Sequence, residues 1–278
     1  MKRKSLLAYP YIIWSALFIV IPLILVVIFS FTVNVDGKNV FSLANYKDLM
    51  DPIYFKVFFR SIMLAGLSTL ICLLIGYPVA YIISKAPLSK RGTLILLFII
   101  RMWMNFLLRT YAWIAILGKN GILNSFLGLF GIEPVGILYT NTAILLGMVY
   151  NYLPFMVLPI YTSLSKMDND LINAARDLGA NSLQVFTKVI FPLSLPGVIS
   201  GITMVFMPAV TTFAISRLLG GGKFMLIGDL IEQQFTVVGD WNFGSAVSIF
   251  MMIVILISLF VMSKFEDESD KEGGGLLF

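Results

Sequence analysis

Long apolar runs alternate with short polar interruptions along the whole chain. Six runs are long enough to cross a bilayer, near residues 10–32, 57–84, 93–118, 142–164, 194–219 and 243–264; a spanning helix needs roughly 17–25 residues. The pattern predicts an all-α integral membrane protein with six transmembrane helices, its membrane domain covering residues 1–264. The first run follows "MKRKSLLAYP". It is too long for a signal peptide and has no small-residue cleavage site, so it reads as a retained anchor. The acidic, Gly-rich segment 265–278 is expected to be a short disordered tail.

One interruption is itself patterned. Residues 171–192 read "LINAARDLGANSLQVFTKVIFP". Leu171, Ala174, Ala175 and Leu178 fall on one helical face. Asp168 can cap the start of that helix, Asp170 suits its first turn, and Gly179 can end it in a left-handed conformation. Asn181 followed by Gln184 forms a capping-box pattern for a second helix, with Leu183, Phe186, Val189 and Ile190 as its apolar face. Pro192 and Pro196 are expected to close this second helix before the fifth run. The loop, residues 165–193, thus holds two short amphipathic helices. Helices that lie on lipid favour bulky apolar groups and many basic residues. An Ala-Ala face permits close approach by another protein instead.

Composition sharpens the picture. Hydrophobic residues make up 59% of the chain and charged residues 13%, against about 25% charged in a typical soluble domain. There is no His and a single Cys, Cys72. A His metal site, a Ser-His catalytic pair, a disulfide and a thiolate cluster are all excluded, and Cys72 reads as packing. Lys and Arg concentrate in the first residues, in 85–92, in 165–193 and after the sixth run. By the positive-inside rule both termini and both loops are cytoplasmic. "RLLGGGKF" lacks the first Gly and the Ser/Thr of a phosphate-cradling loop, so no ATP site is expected in this chain.

The patterned loop resembles the cytoplasmic signature of ABC importer permeases: Glu-Ala-Ala, three residues, Gly, nine residues, then an aliphatic, any residue, Leu-Pro. Ala174, Ala175, Gly179, Val189 and Pro192 are in register, while Asn173 stands at the Glu position and Phe191 at the Leu position. "WMNFLLRTYAW", "YLPFMVLPIYTSL", "AARDLGANSLQVF" and "GGGKFMLIGDLIEQQF" are similar to the spermidine/putrescine permease subfamily. The resemblance implies a type I ABC importer permease fold, with Asn173, Ala174, Ala175, Arg176, Asp177 and Gly179 on a coupling helix. It implies a bacterial inner-membrane protein and a homologous second permease. Two copies of a cytoplasmic ATPase that binds ATP and Mg, and an external protein delivering the polyamine, complete the assembly. Besides these and membrane lipid, no nucleic acid and no cofactor or metal of the chain's own is implied.

Residues that could carry transport are few. No Asp or Glu falls inside the six runs, so acidic recognition is expected outside, with Asp229, Glu232 and Asp240 in an external loop. The subfamily pattern Pro-x-Trp-x-Asn-x-x-x-Arg is matched by Trp103, Asn105 and Arg109, with Arg101 at the Pro position. Arg109 is expected to be buried and to face a partner or a helix C-terminus; Arg101 is expected to extend toward the cytoplasmic headgroups. Tyr111, Tyr150 and Asn151 are further candidates for the translocation path, the aromatics by cation–π contact. An interfacial aromatic belt explains Tyr111 equally well. Pro208, near Thr211 and Thr212, marks a kink on the path, and "GVISG" at 197–201 suggests close helix packing. Another solute, such as an organic cation, phosphonate, iron or thiamine, fits the same architecture. A membrane enzyme or sensor fits less well, for want of clustered ionisable groups or an output domain.

Overall fold

In the computed structural model, described for residues 9–35 and 38–274, five helices are long and apolar enough to cross a membrane, and a bent pair passes the same test when its two halves are taken together. They are α1 (Pro10–Ser30), α3 (Pro52–Lys85), α7 (Asn141–Lys166), α9 (Ser182–Thr211) and α12 (Trp241–Gly274), with the bent pair α4 (Leu88–Trp103) and α5 (Phe106–Leu117). Short elements cap the bundle: β1 (Thr32–Val35), β2 (Lys38–Phe41), α2 (Ala44–Leu49), α6 (Ile122–Gly128), α8 (Asn169–Asp177), α10 (Ala214–Gly220) and α11 (Ile227–Gln233).

The centre is the mutual packing of α3, α7 and α9. Leu64, Met148, Met156, Ile160 and Val205 are fully buried there. Small residues allow the closeness. A Cβ on Gly197 would stand 2.6 Å from Ser163 Cβ, and one on Gly201 would stand 2.8 Å from Met156 Sδ. "GVISG" therefore is the face that α9 presses onto α7. Tyr77 of α3 and Ser194 of α9 share a buried hydrogen bond of 2.8 Å. Cys72 is fully buried among apolar neighbours. α1 lies outside this core, packed along α12.

Proline shapes two spans without breaking them. Pro22 and Pro192 each follow a widened π-turn, Ala16–Val20 and Phe186–Ile190. Ile21 N–H reaches back to Ala16 O, and Phe191 N–H to Phe186 O. The wider turn makes room for a ring that would otherwise strike the carbonyl four residues earlier. The second helix of the 165–193 loop does not stop at Pro192, where the sequence predicts its end. It runs without interruption into the fifth span.

Three further elements differ from expectation. The third run, 93–118, is not one helix: α4 and α5 meet at 92°. The fifth run, 194–219, breaks at Thr212–Phe213 and resumes as α10. The tail backbone, expected to be disordered, is helical as far as Gly274, the last described residue. An antiparallel hairpin, β1–β2, also follows the first span, with Thr32 opposite Phe41. Lys2, Arg3 and Lys4, which weighed in the orientation, lie outside the described residues.

Candidate functional site

Three places hold the chain's unusual groups. The first is the loop at one end of the bundle. Asp168 Oδ1 accepts from Asp170 N–H at 2.9 Å and starts α8. Gly179 adopts φ +84°. The two hydrogen bonds that close the helix are Gly179 N–H to Arg176 O at 2.8 Å and Ala180 N–H to Ala175 O at 3.1 Å. This is a Schellman cap, which satisfies the last carbonyls and turns the chain. Asn181 and Gln184 exchange backbone hydrogen bonds of 2.9 Å each, a full capping box. Ile172 is buried and anchors α8 against the bundle near the ends of α3 and α7. The predicted apolar face looks the other way. Leu171, Ala174 and Leu178 are exposed, Leu178 at 89%, and Ala175 is half-buried. Asn173, Arg176 and Asp177 flank this face in the open. α8 thus presents an unpaired apolar patch at the end of the bundle, shaped by local caps.

The second place is the elbow between α4 and α5. Met104 and Asn105 are extended, and Asn105 Oδ1 accepts from Leu107 N–H at 2.9 Å and Leu108 N–H at 3.2 Å. Asn105 is therefore the N-cap of α5 rather than a free amide on a path. Trp103 is 84% exposed at the end of α4, and Tyr111 is exposed on α5. Arg109 is only 9% exposed, and its Nη1 donates to Arg101 O, in the last turn of α4, at 3.1 Å. A cation there suits the negative end of the helix. Arg101 does not extend to the headgroups. Its guanidinium lies 3.6 Å above the Tyr150 ring, and Trp113 meets the same ring edge-on at 5.2 Å. Tyr150 is thereby held from two sides by its own chain. Asn151, expected on the path, is buried; its Nδ2 donates to Gly147 O of the same helix at 2.8 Å.

The third place lies at the opposite end of the bundle, where the segment between the last two spans holds a short helix. Asp229 and Glu232 sit on α11, and Asp229 is 7% exposed. α11 is drawn in by backbone contacts. Ile227 N–H donates to Ser61 Oγ at 2.8 Å, and Gly228 lies so close to the Thr211 and Thr212 carbonyls that any side chain would overlap them. The end of α9 near Pro208 is tied by Tyr152, whose hydroxyl donates to Pro208 O at 3.1 Å. Thr211 instead donates to Met207 O at 3.1 Å. Glu232 pairs with Arg217, and Asp240 Oδ1 caps the last span at Phe243 N–H, 3.0 Å. Among the described residues no cluster of His, Cys, Asp or Glu could hold a metal.

Asp229 Oδ2 accepts from Leu226 N–H at 3.2 Å, while Oδ1 is buried without a partner. Burial pushes its carboxyl above the usual range, against the pull of Ser216, the Leu226 N–H and Arg217. A carboxyl with a raised folded pKa favours the fold when protonated. The fold is thus stabilised below the unfolded value and loses that contribution as pH rises through the folded one. Asp229→Asn keeps an acceptor for Leu226 and removes the buried charge. It is expected to raise the melting temperature of the detergent-purified protein at neutral pH and to flatten the pH dependence. A lower melting temperature at neutral pH would show that the charge is paired.

Of the predicted path residues, Trp103, Asn105, Arg109, Tyr111 and Tyr150 gather at the elbow, whereas Asn151 is buried and Pro208 is half-buried near the end of α9. Arg101, Tyr152 and Ser61 went unassigned or misassigned, because their partners are distant in sequence.

Residues 1–267 match the family of binding-protein-dependent transport system inner membrane components. The chain is 43% identical over 253 residues to the spermidine/putrescine transport system permease protein PotB of Escherichia coli, covering 89% of this chain and 92% of that one. PotB of Haemophilus influenzae is 42% identical over 254 residues, covering 89% and 88%. Among solved structures, a bacterial ABC transporter that imports the acidic polysaccharide alginate superposes with a TM-score of 0.82 at 17% identity, covering 96% of each chain. The MetNI methionine ABC transporter superposes with a TM-score of 0.60 at 16% identity, covering 80% of this chain and 98% of that one.

Proposed function

This chain belongs to the family of binding-protein-dependent transport system inner membrane components, and from that premise we propose that it carries polyamines across the inner membrane. It is a multi-pass permease of an ABC importer and not an enzyme. The observation that carries the polyamine reading is the 43% identity to a spermidine/putrescine permease over nearly the whole chain.

Its partners follow from the same reading. α8 seats in a groove of a cytoplasmic ATPase, two copies of which bind ATP and Mg and supply the energy. Asn173, Ala174, Ala175, Arg176, Asp177 and Gly179 form the joint. The exposed Leu171–Ala174–Leu178 face supports this, since a cytoplasmic apolar patch calls for a protein cover. A homologous second permease completes the path, and an external binding protein delivers the cation. The elbow residues Trp103, Asn105, Arg109, Tyr111 and Tyr150 flank that path. Asp229, Glu232 and Asp240 build the outer end that receives the substrate, as supports rather than as an open acidic loop.

The test is reconstitution of the full assembly in proteoliposomes with the proteins encoded beside it. ATP hydrolysis is expected to rise with binding protein loaded with spermidine or putrescine. Stimulation by thiamine, iron or a phosphonate, with none by polyamines, would overturn the substrate.

Both termini are cytoplasmic in this reading, supported by Lys85, Lys90, Arg91, Lys166, Arg176 and Lys188 at the α8 end. In a Cys72→Ala background, Cys placed at Ser89 or Ser182 is expected to label only from the cytoplasm, and Cys at Asn120 only from outside. All three positions are exposed. External labelling at Ser182 would invert the topology and remove the ATPase from α8.

A further inference from the structure

Arg101 and Arg109 are two cations at membrane depth with donors to spare. Arg101 lies thirteen residues beyond Leu88, about 20 Å along α4 at 1.5 Å per residue. Its stacking partner Tyr150 lies sixteen residues before Lys166, about 24 Å along α7. Both helices begin that count at the α8 end of the bundle, so the pair sits within a hydrocarbon layer about 30 Å thick, past its middle as counted from that end. Arg109 spends one donor on Arg101 O. Arg101 Nε and Nη2 and Arg109 Nε are enclosed by the chain without a hydrogen-bond partner, so the donors that a partner can reach are Arg101 Nη1 and Arg109 Nη2. Among the described residues the ion pair is Arg217–Glu232, and no carboxylate reaches either elbow guanidinium. Buried charges are paired or costly.

The elbow has a second unmet need. Met104 and Asn105 are extended backbone, which lipid does not tolerate at this depth unless protein or water covers it. Trp103, Met104, Leu108 and Tyr111 stand exposed around the break. A lipid phosphate stays at the surface of that layer rather than within it. Guanidinium forks match carboxylates in particular.

We propose that the second permease subunit covers this elbow and places an Asp or Glu side chain of one of its own spans on Arg101 and Arg109. The inference rests on the reading above that a second permease is present. It adds a consequence for transport: the carboxylate supplied from the partner, shared between the two guanidiniums, cancels one of their two positive charges and lowers the repulsion an entering polycation would meet.

The experiment uses the complete transporter, purified through a tag on this chain. Arg101→Gln with Arg109→Gln is expected to lower recovery of the second permease by about tenfold or more, as expected when a buried ion pair loses one side. Arg109→Lys keeps the charge and is expected to retain it. Each Asp and Glu in the partner's spans is then changed to Arg in the presence of Arg109→Glu. One such reversal is expected to restore both recovery and uptake. Circular dichroism of this chain alone checks that the double variant remains helical. Undiminished recovery from the folded double variant, with no reversal that rescues, would overturn the pairing. Restoration of the wild-type assembly by chloride after its removal into gluconate would overturn it in favour of an ion. Absence of any second permease from the wild-type complex would instead overturn the reading on which it rests. None of these results depends on which solute is carried.

Discussion

Ala174→Glu and Gly179→Val are each expected to abolish ATP-driven uptake while leaving the permease in the membrane. The two act on one surface by different means. Ala174 is exposed beside Leu171 and Leu178 on α8, so a glutamate there disturbs no packing within the chain. It sets a bulky charge on the small face that the proposed docking closes over. Loss of a central contact in such an interface weakens it by about 2 kcal/mol or more, roughly thirtyfold. Ala175, its neighbour, is half-buried against the bundle, and a change there would mix docking with folding. Gly179 has open space around it: an added Cβ meets nothing within 4 Å. The effect of valine is therefore backbone strain. Its φ of +84° is one that a β-branched residue resists. Relaxing that strain breaks the Schellman cap and swings α8 relative to α9. Copurification of the ATPase and uptake of labelled spermidine measure both. Normal values for both variants would remove α8 as the joint.

The two-helix unit at 168–190 is legible in the sequence because everything that shapes it is local. Asp168, Gly179, Asn181 and Gln184 lie within a few residues of the groups they bond. The elbow is not. Residues 93–118 are apolar on both sides of the break, and "RMWMNFLL" contains no Gly or Pro. The one local sign is Asn105, an N-cap residue within an apolar run, which reads as a path amide until α5 is seen to start there. α11 was hidden by its flanks. Gly220–Gly222 and Gly239 signal turns, and the helix between them is fixed by Ser61 and by the open carbonyls at the end of α9. Those partners lie on other spans, and no window of sequence contains both. The hairpin was announced by Asp36-Gly37, a strong turn pair between β-forming residues, but a chain read for spans passes over eight residues of strand.

Trp103→Leu is expected to lower polyamine uptake by up to about tenfold with the assembly intact, whereas Tyr150→Leu is expected to act mainly by destabilising the permease. The sequence treats the two rings alike, as faces a cation could cross. The structure separates them. Tyr150 already has the Arg101 guanidinium on its face at 3.6 Å and Trp113 against its edge; a substrate ammonium would have to displace a tethered cation. Trp103 stands 84% exposed at the end of α4, and in the proposed assembly its ring lies at the rim of the covered elbow, on the side of the path. A cation–π contact contributes roughly 0.5–2 kcal/mol, enough to lower a barrier without trapping the solute. Uptake per unit of purified complex, and the melting temperature of each variant, distinguish the two roles. Trp103→Phe is expected to keep part of the rate, because a ring remains. Unchanged uptake by Trp103→Leu would take the elbow off the path, and a normal melting temperature for Tyr150→Leu with uptake lost would return Tyr150 to it.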